Sequence, residues 1–327
     1  MRLPWRPGAP GSKSKGLRTR RSILGQVGSL AVAGGAAWLL RDQILWPRPQ
    51  PQFAGDGTSS GWLDFQGPRG PAVTVAASVN GRPVRALLDS GAQYSVIDTA
   101  FAAQLGLPGA FAAPMIAYGV GGRPQLGRGV GLDVTAGDLA LPALRAAVLD
   151  LGPISGALGL SVPLVLGQDL LNEVVADIDF PRRRVRLVAR EAFAPPADAF
   201  AVPARRKGRA LLAKVSVEGA SLEPVLDTGA SSALVLAHDV AEAAGLLSGR
   251  EVRPTRSLVL GGVAAGRMVT VRTLAFGGEI LRDVPVHIYR RQPMPGFPGG
   301  LLGVGALRRF RAVLDHGGGR LHLVRQG

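Results

Sequence analysis

From Ala72 the chain runs Ala-Val-Thr-Val-Ala-Ala-Ser-Val to Val79, breaks at Asn80-Gly81, and turns apolar again from Arg82 to Leu88. Two β-prone runs joined by Asn-Gly predict a β-hairpin, because both turn residues accept the positive φ that a tight hairpin needs. The pattern returns at Ala210 to Val217, Glu218-Gly219 and Ala220 to Leu226. Each second strand stays apolar to its end and delivers one aspartate, Asp89 or Asp227, into the turn that follows. Behind each acid comes a short strand-like stretch, Ser95-Val96-Ile97 or Ala233-Leu234-Val235. Alanine-rich helical runs then end in Gly-Leu (Thr99 to Leu107; Ala237 to Leu247).

The correspondence continues downstream. Leu164-Val165-Leu166-Gly167 answers Gly300-Leu301-Leu302-Gly303, each followed by a short helical stretch near Gln168 to Val174 or Val304 to Phe310. Asp179 through Val188 answers Asp315 through Val324, each an acid, a turn and an apolar strand. Duplication on this scale sets the architecture: two lobes related by a pseudo-twofold axis, mainly β, with six or more strands apiece. The boundaries fall at residues 56–195 for the first lobe and 196–327 for the second.

Composition narrows the picture. With 46 Gly and 25 Pro in 327 residues, the chain suits a turn-rich β protein large enough for two cores. It has no cysteine, and its four histidines (His238, His287, His316, His322) lack metal-ligand spacing, so neither a metal nor another cofactor is expected. The net charge is +15, but residues 1–55 hold nine Lys/Arg against Asp42 alone. The rest is diluted over two lobes, with Arg182-Arg183-Arg184 reading as a solvated hairpin tip and Arg205-Arg206-Lys207 as an inter-lobe linker, so a nucleic-acid partner is not expected.

The amino terminus reads as a targeting device. Seven basic residues and no acid occupy positions 1–21, followed by 19 uncharged residues from Ser22 to Leu40. Such a segment is an export signal or a membrane anchor with its basic end kept in the cytoplasm. Thr19-Arg20-Arg21-Ser22-Ile23-Leu24 resembles the twin-arginine export signal of bacteria, which implies a periplasmic body or one anchored in the inner membrane with its lobes outside the cytoplasm. Pro47, Pro49, Pro51 and the stretch from Gly55 to Gly61 read as a linker, so residues 1–55 are expected to lie outside the fold.

The paired strings Ala86-Leu87-Leu88-Asp89-Ser90-Gly91-Ala92 and Pro224-Val225-Leu226-Asp227-Thr228-Gly229-Ala230 carry the candidate chemistry. Two carboxylates meeting across the axis cannot both ionise, so one keeps a proton while the other stays basic. That is what hydrolysis through an activated water needs: a base for the water and an acid for the leaving group. Gly91 and Gly229 let two backbones approach closely and offer N–H groups to the carboxylates.

These doubled motifs, each followed by apolar-apolar-Gly, resemble the aspartic proteases over roughly residues 71–327. The run Asp89-Ser90-Gly91-Ala92-Gln93-Tyr94-Ser95-Val96-Ile97 is most similar to the retropepsin-like branch as bacteria carry it. The resemblance implies acid-protease-type β-barrel lobes and an endopeptidase that cuts protein or peptide substrates with Asp89 and Asp227 as the dyad. It implies that Ser90 and Thr228 hydrogen-bond across to the opposite lobe, and that one chain acts as a monomer, a pseudo-dimer in itself. The family also closes a hairpin flap over substrate; Tyr118, Gly121 and Gly122, or Gly261 and Gly262, stand at the equivalent glycine-rich tips. Two other readings stay open: a non-catalytic module that binds peptides or envelope proteins on the same fold, and a glycosidase using the two acids.

Overall fold

A computed structural model describes residues 46–55, 57–67, 72–107, 111–117, 125–259, 262–289 and 299–325. The chain divides into two compact units, Met1–Pro47 and Arg48–Gly327. Of the first, only Trp46, which is buried, and Pro47 are described, so the targeting segment lies outside the described residues. Among the described residues no helix is long and apolar enough to cross a membrane.

The second unit holds both lobes. In lobe one, Thr74–Val79 pairs with Arg82–Leu88 with Val79 opposite Arg82. Asn80 (φ 48°) and Gly81 (φ 76°) form the tight turn between them, as their side chains dictate. Arg82–Leu88 then runs parallel to Leu164–Leu166, and Val96–Asp98 pairs with both Leu164–Leu166 and Leu139–Leu149. Gln125–Ala136 joins Leu139–Leu149 on one side and Thr74–Val79 on the other, which closes a barrel.

Lobe two repeats this order with one interruption. Glu218 (φ 49°) and Gly219 (φ 93°) make the equivalent turn, but the two hairpin strands break into Ala210–Ala213 with Val215–Val217, and Ala220–Leu222 with Val225–Asp227. Pro224 stands where lobe one has Ala86. Its carbonyl still accepts from the Ala213 N–H at 3.0 Å, but it has no N–H to give the ladder. Val225–Asp227 runs parallel to Gly300–Gly303, which pairs with Leu234–Ala237; that strand runs parallel to Glu279–Tyr289.

A third sheet joins the lobes. Its six strands run in the order Phe200–Val202, Arg320–Arg325, Phe310–Asp315, Val174–Asp179, Arg184–Ala189 and Leu63–Asp64. At its centre Ala176 faces Leu314, Asp177 faces Val313 and Ile178 faces Ala312. Asp177 and Val313 are equivalent positions of the duplication, and the neighbouring pairs exchange under it, so the pseudo-twofold axis passes between these two residues. One apolar core spans the lobes and this sheet, from Leu88 and Leu164 through Ile178 and Leu314 to Leu226 and Leu302.

Two features depart from the sequence expectation. Gln52–Phe53 is not linker: it adds an edge strand to lobe one opposite Ala140 and Leu139. Ser59 and Ser60 then run beside Leu187 and Val188 of the shared sheet. A two-residue strand is too short for any periodicity to show, and the flanking prolines mask it. A helix at Gly152–Leu158 also arises where none was expected; it buries no side chain, so it writes no apolar stripe into the sequence.

Candidate active site

The two parallel pairs at the ends of Arg82–Leu88 and Val225–Asp227 fix where the acids emerge. Leu88 lies opposite Leu166 and the Asp89 N–H donates to the Leu166 carbonyl at 3.0 Å; in lobe two Asp227 lies opposite Gly303. Gly167 and Gly303 are required here by space. A Cβ on Gly167 would stand 2.7 Å from the Tyr94 carbonyl oxygen, and one on Gly303 would stand 2.5 Å from that of Ala230.

Beyond the strands, each loop reaches into the other lobe. Ser90 Oγ donates to the Leu226 carbonyl (2.8 Å) and accepts from the Thr228 N–H (3.0 Å). Thr228 Oγ1 donates to the Leu88 carbonyl (2.7 Å) and accepts from the Ser90 N–H (3.0 Å). Four reciprocal bonds between buried groups tie the loops into one rigid piece, since breaking any of them strands a buried polar atom.

That bracing brings the acids together. Asp89 and Asp227 share a hydrogen bond between their carboxyl groups. A Cβ on Gly91 would lie 2.6 Å from Asp227 Cγ, and one on Gly229 would lie 2.6 Å from Asp89 Cγ. Each acid therefore rests on the glycine of the opposite loop, which no other residue could permit. Each also accepts two N–H donors of its own turn at one oxygen: Gly91 (2.8 Å) and Ala92 (3.2 Å) for Asp89 Oδ1, Gly229 (2.8 Å) and Ala230 (3.0 Å) for Asp227 Oδ1. Desolvation is the main force on their ionisation and raises both above the usual carboxylate range. The charge of one acid further opposes ionisation of the other, so the shift belongs to the pair. One proton shared between two acids is the stable state of such a pair.

An aspartyl protease family model matches this sequence twice, over residues 75–170 and 213–306, once in each lobe and over more than half of the chain. The chain belongs to the aspartyl protease family. Both matches contain the hairpin, the acid and the Leu-Gly strand of this family's site, and the resemblance drawn from the paired motifs holds. No curated protein matches the sequence. Among solved structures it is similar to a retropepsin-like aspartic protease from Rickettsia conorii (20% identity, 38% of this chain and 89% of that one, TM-score 0.30). It is also similar to basic 7S globulin from soybean (10% identity, 81% and 94%, TM-score 0.45).

Of the flap positions, Tyr118, Gly121, Gly122 and Gly261 lie outside the described residues. The strands that frame them are hairpins in both lobes: Phe111–Ala117 with Gln125–Ala136, and Arg253–Val259 with Gly262–Phe276. Gly262 opens its strand opposite Val259 with φ +111°, a conformation that favours glycine. The Arg253–Val259 strand also packs against the lobe-one helix Gly152–Leu158.

Sequence reasoning missed the support beneath Asp89. Helix Gln168–Leu171 begins right after Gly167, and its Gln168 Nε2 donates to the Ser90 carbonyl at 2.7 Å. Asp169, fully buried, accepts from the Ser95 N–H (3.0 Å) and Ser95 Oγ (2.9 Å), and burial raises its own carboxyl. A signal was present: at the equivalent positions of the duplication lobe two has Val304, Gly305 and Ala233, all apolar.

Proposed function

We propose that this family member is an aspartic endopeptidase that hydrolyses peptide bonds with Asp89 and Asp227. The observation that carries the reading is the hydrogen-bonded carboxyl pair, each acid seated on the other lobe's glycine. The ionised carboxylate takes a proton from a water while the protonated partner donates to the carbonyl oxygen of the scissile amide. The C–O bond forms as the carbonyl π bond opens, giving a tetrahedral diol. The pair then gives its proton to the amide nitrogen and takes one back from a diol hydroxyl as the C–N bond breaks and the carbonyl re-forms, so one shared proton is again left on the pair. The braced loops support this scheme because the acids need not move to meet the developing charge.

Protein or peptide is the proposed substrate, with the two lobes of one chain acting as a monomer. The basic and apolar segment at residues 1–40 supports placing the lobes beyond the cytoplasmic membrane, in the periplasm or anchored to the inner membrane. Cell fractionation of a tagged full-length chain tests that placement; recovery in the cytosol overturns it. For the chemistry, an unfolded protein should be cut at mildly acidic pH, and Asp89→Asn or Asp227→Asn should each lower kcat by roughly 10²–10⁴-fold. Cleavage at an undiminished rate in either variant rejects the paired-acid scheme. Peptide affinity without turnover at any pH would favour a binding module instead.

A further inference from the structure

The cross-lobe hydroxyl bonds, the glycine seats and the N–H donors of each acid's own turn repeat in the two halves, but three contacts do not: the Gly229 N–H also reaches Asp89, the Ser95–Asp169 pair has no counterpart, and neither does a bond from Gln168. Ser90 carbonyl and Gly91 N–H belong to the same peptide unit and point opposite ways. Its N–H donates to Asp89 Oδ1 at 2.8 Å, and its carbonyl accepts from Gln168 Nε2 at 2.7 Å. In lobe two the Thr228–Gly229 peptide donates to Asp227 Oδ1 at the same 2.8 Å. The residue equivalent to Gln168 there is Val304, whose N–H donates to the Ala230 carbonyl as the Gln168 N–H donates to that of Ala92. An apolar side chain offers the Thr228 carbonyl nothing.

We propose that Gln168 is a positioning residue that makes the halves of the dyad unequal, favouring ionised Asp89 as the base and leaving the shared proton on Asp227. Two physical effects act in this direction. The amide fixes the plane of the Ser90–Gly91 peptide, so its N–H stays aimed at Asp89. A carbonyl that accepts a hydrogen bond also polarises its peptide and strengthens the N–H on the other side. Both favour the charged form of the acid that receives that N–H. Gln168 is itself buried and held, being 2% exposed, with its own carbonyl accepting from Asn172 Nδ2.

Other charges stand near this helix. Asp169 is tied to Ser95 and feels Arg209; Asp315 pairs with Arg190, which also donates to the Asn172 carbonyl; His316 is buried close by. The two polar groups of the Ser90–Gly91 peptide are taken by Gln168 and Asp89.

The inference rests on the two acids acting as a pair, and its test reads their titration rather than turnover, so the two can fail separately. In full-length Asp227→Asn protein with ¹³C-labelled aspartate, Asp89 titrates without its partner. Adding Gln168→Met, which keeps the shape and removes the donor, should raise the Asp89 midpoint by roughly half a pH unit or more. In full-length Asp89→Asn protein the same substitution should leave Asp227 unmoved. An unchanged Asp89 midpoint overturns the proposal, and so does an equal shift of both acids, which would mark a general loosening. If Gln168→Met does not fold, Val304→Gln in the Asp89→Asn protein supplies lobe two with the missing amide. The Asp227 midpoint should then fall, and no change there overturns the proposal.

Discussion

Lobe one supports its acid with polar groups and lobe two with apolar ones. Behind Asp89 stand Gln168 on the Ser90 carbonyl and the buried Ser95–Asp169 pair; behind Asp227 stand Val304, Ala233 and Gly305. Gly305 has no room for more, since a Cβ there would lie 2.5 Å from the Ala233 nitrogen. The reverse holds at the far turns of the shared sheet, where lobe one places Phe180 and lobe two places His316, both buried. Where the halves act jointly they agree: Ser90 with Thr228, Gly91 with Gly229, Asp89 with Asp227. A group that must face its own copy across an axis is constrained by that copy. A group that works within one lobe is free to differ.

The largest effect should come from the positions that agree. Gly91→Ala pushes a methyl against the Asp227 carboxyl, and Gly229→Ala does the same to Asp89. The clashing atoms are ends of side chains, so the acids yield before the fold does. Each variant should stay folded by circular dichroism while kcat falls on the order of 10²-fold, because a shift of about 1 Å in a reacting group costs that much. Matching losses would support a symmetric seat; a much milder loss at either glycine would show that the two carboxyls do not press equally on the opposite loops.

His316→Phe probes the next difference by giving lobe two the residue of lobe one. Burial holds the His316 imidazole neutral, lowering its pKa to about 4 from the usual 6.5. Between those values the unfolded chain binds the extra proton and the folded one does not, so this group makes stability rise with pH. Its contribution is complete above about pH 6.5 and is lost as pH falls toward 4, on the order of 3 kcal/mol in all. The dyad acts oppositely: its raised carboxyls bind protons in the folded state above the usual value of 3.8, so they make stability fall as pH rises. Chemical denaturation from pH 4 to 7 should show the rising component flattened in His316→Phe. An unaltered slope would mean that the imidazole is protonated within the fold.

How much of this could be read from the chain follows the same division. The duplicated hairpins, the acids and the Leu-Gly strands were legible, because each copy confirmed the other and Asn80-Gly81 announces its turn chemically. Gln168 and Asp169 were not, since a polar residue at the start of a short helix ordinarily faces water. Only tertiary placement under the Ser90 loop buries them. Nor was the break at Pro224 visible as a break: a proline inside an apolar run ends a ladder only if its missing N–H faces a partner strand. Gln52–Phe53 shows the converse, a strand created entirely by the edge it meets.

The smallest contrast lies in the turns of the shared sheet. Arg183 and Gly319 hold the same place before Arg184 and Arg320, and both adopt left-handed backbone, with φ +52° and +68°. For arginine that conformation costs about 1 kcal/mol that glycine avoids. Lobe one offsets it with a guanidinium 5.5 Å from the Phe65 ring centroid, and the Arg183 carbonyl accepts from the Phe65 N–H whatever the side chain. Arg183→Ala should lose the stacking and keep the strain, whereas Arg183→Gly should lose both. The glycine variant should therefore be more stable to unfolding than the alanine variant by about 1 kcal/mol, and Gly319→Ala should lose a similar amount. An alanine variant at least as stable as glycine at position 183 would mean that this turn relaxes, and that the two ends of the sheet are less alike than their backbones indicate.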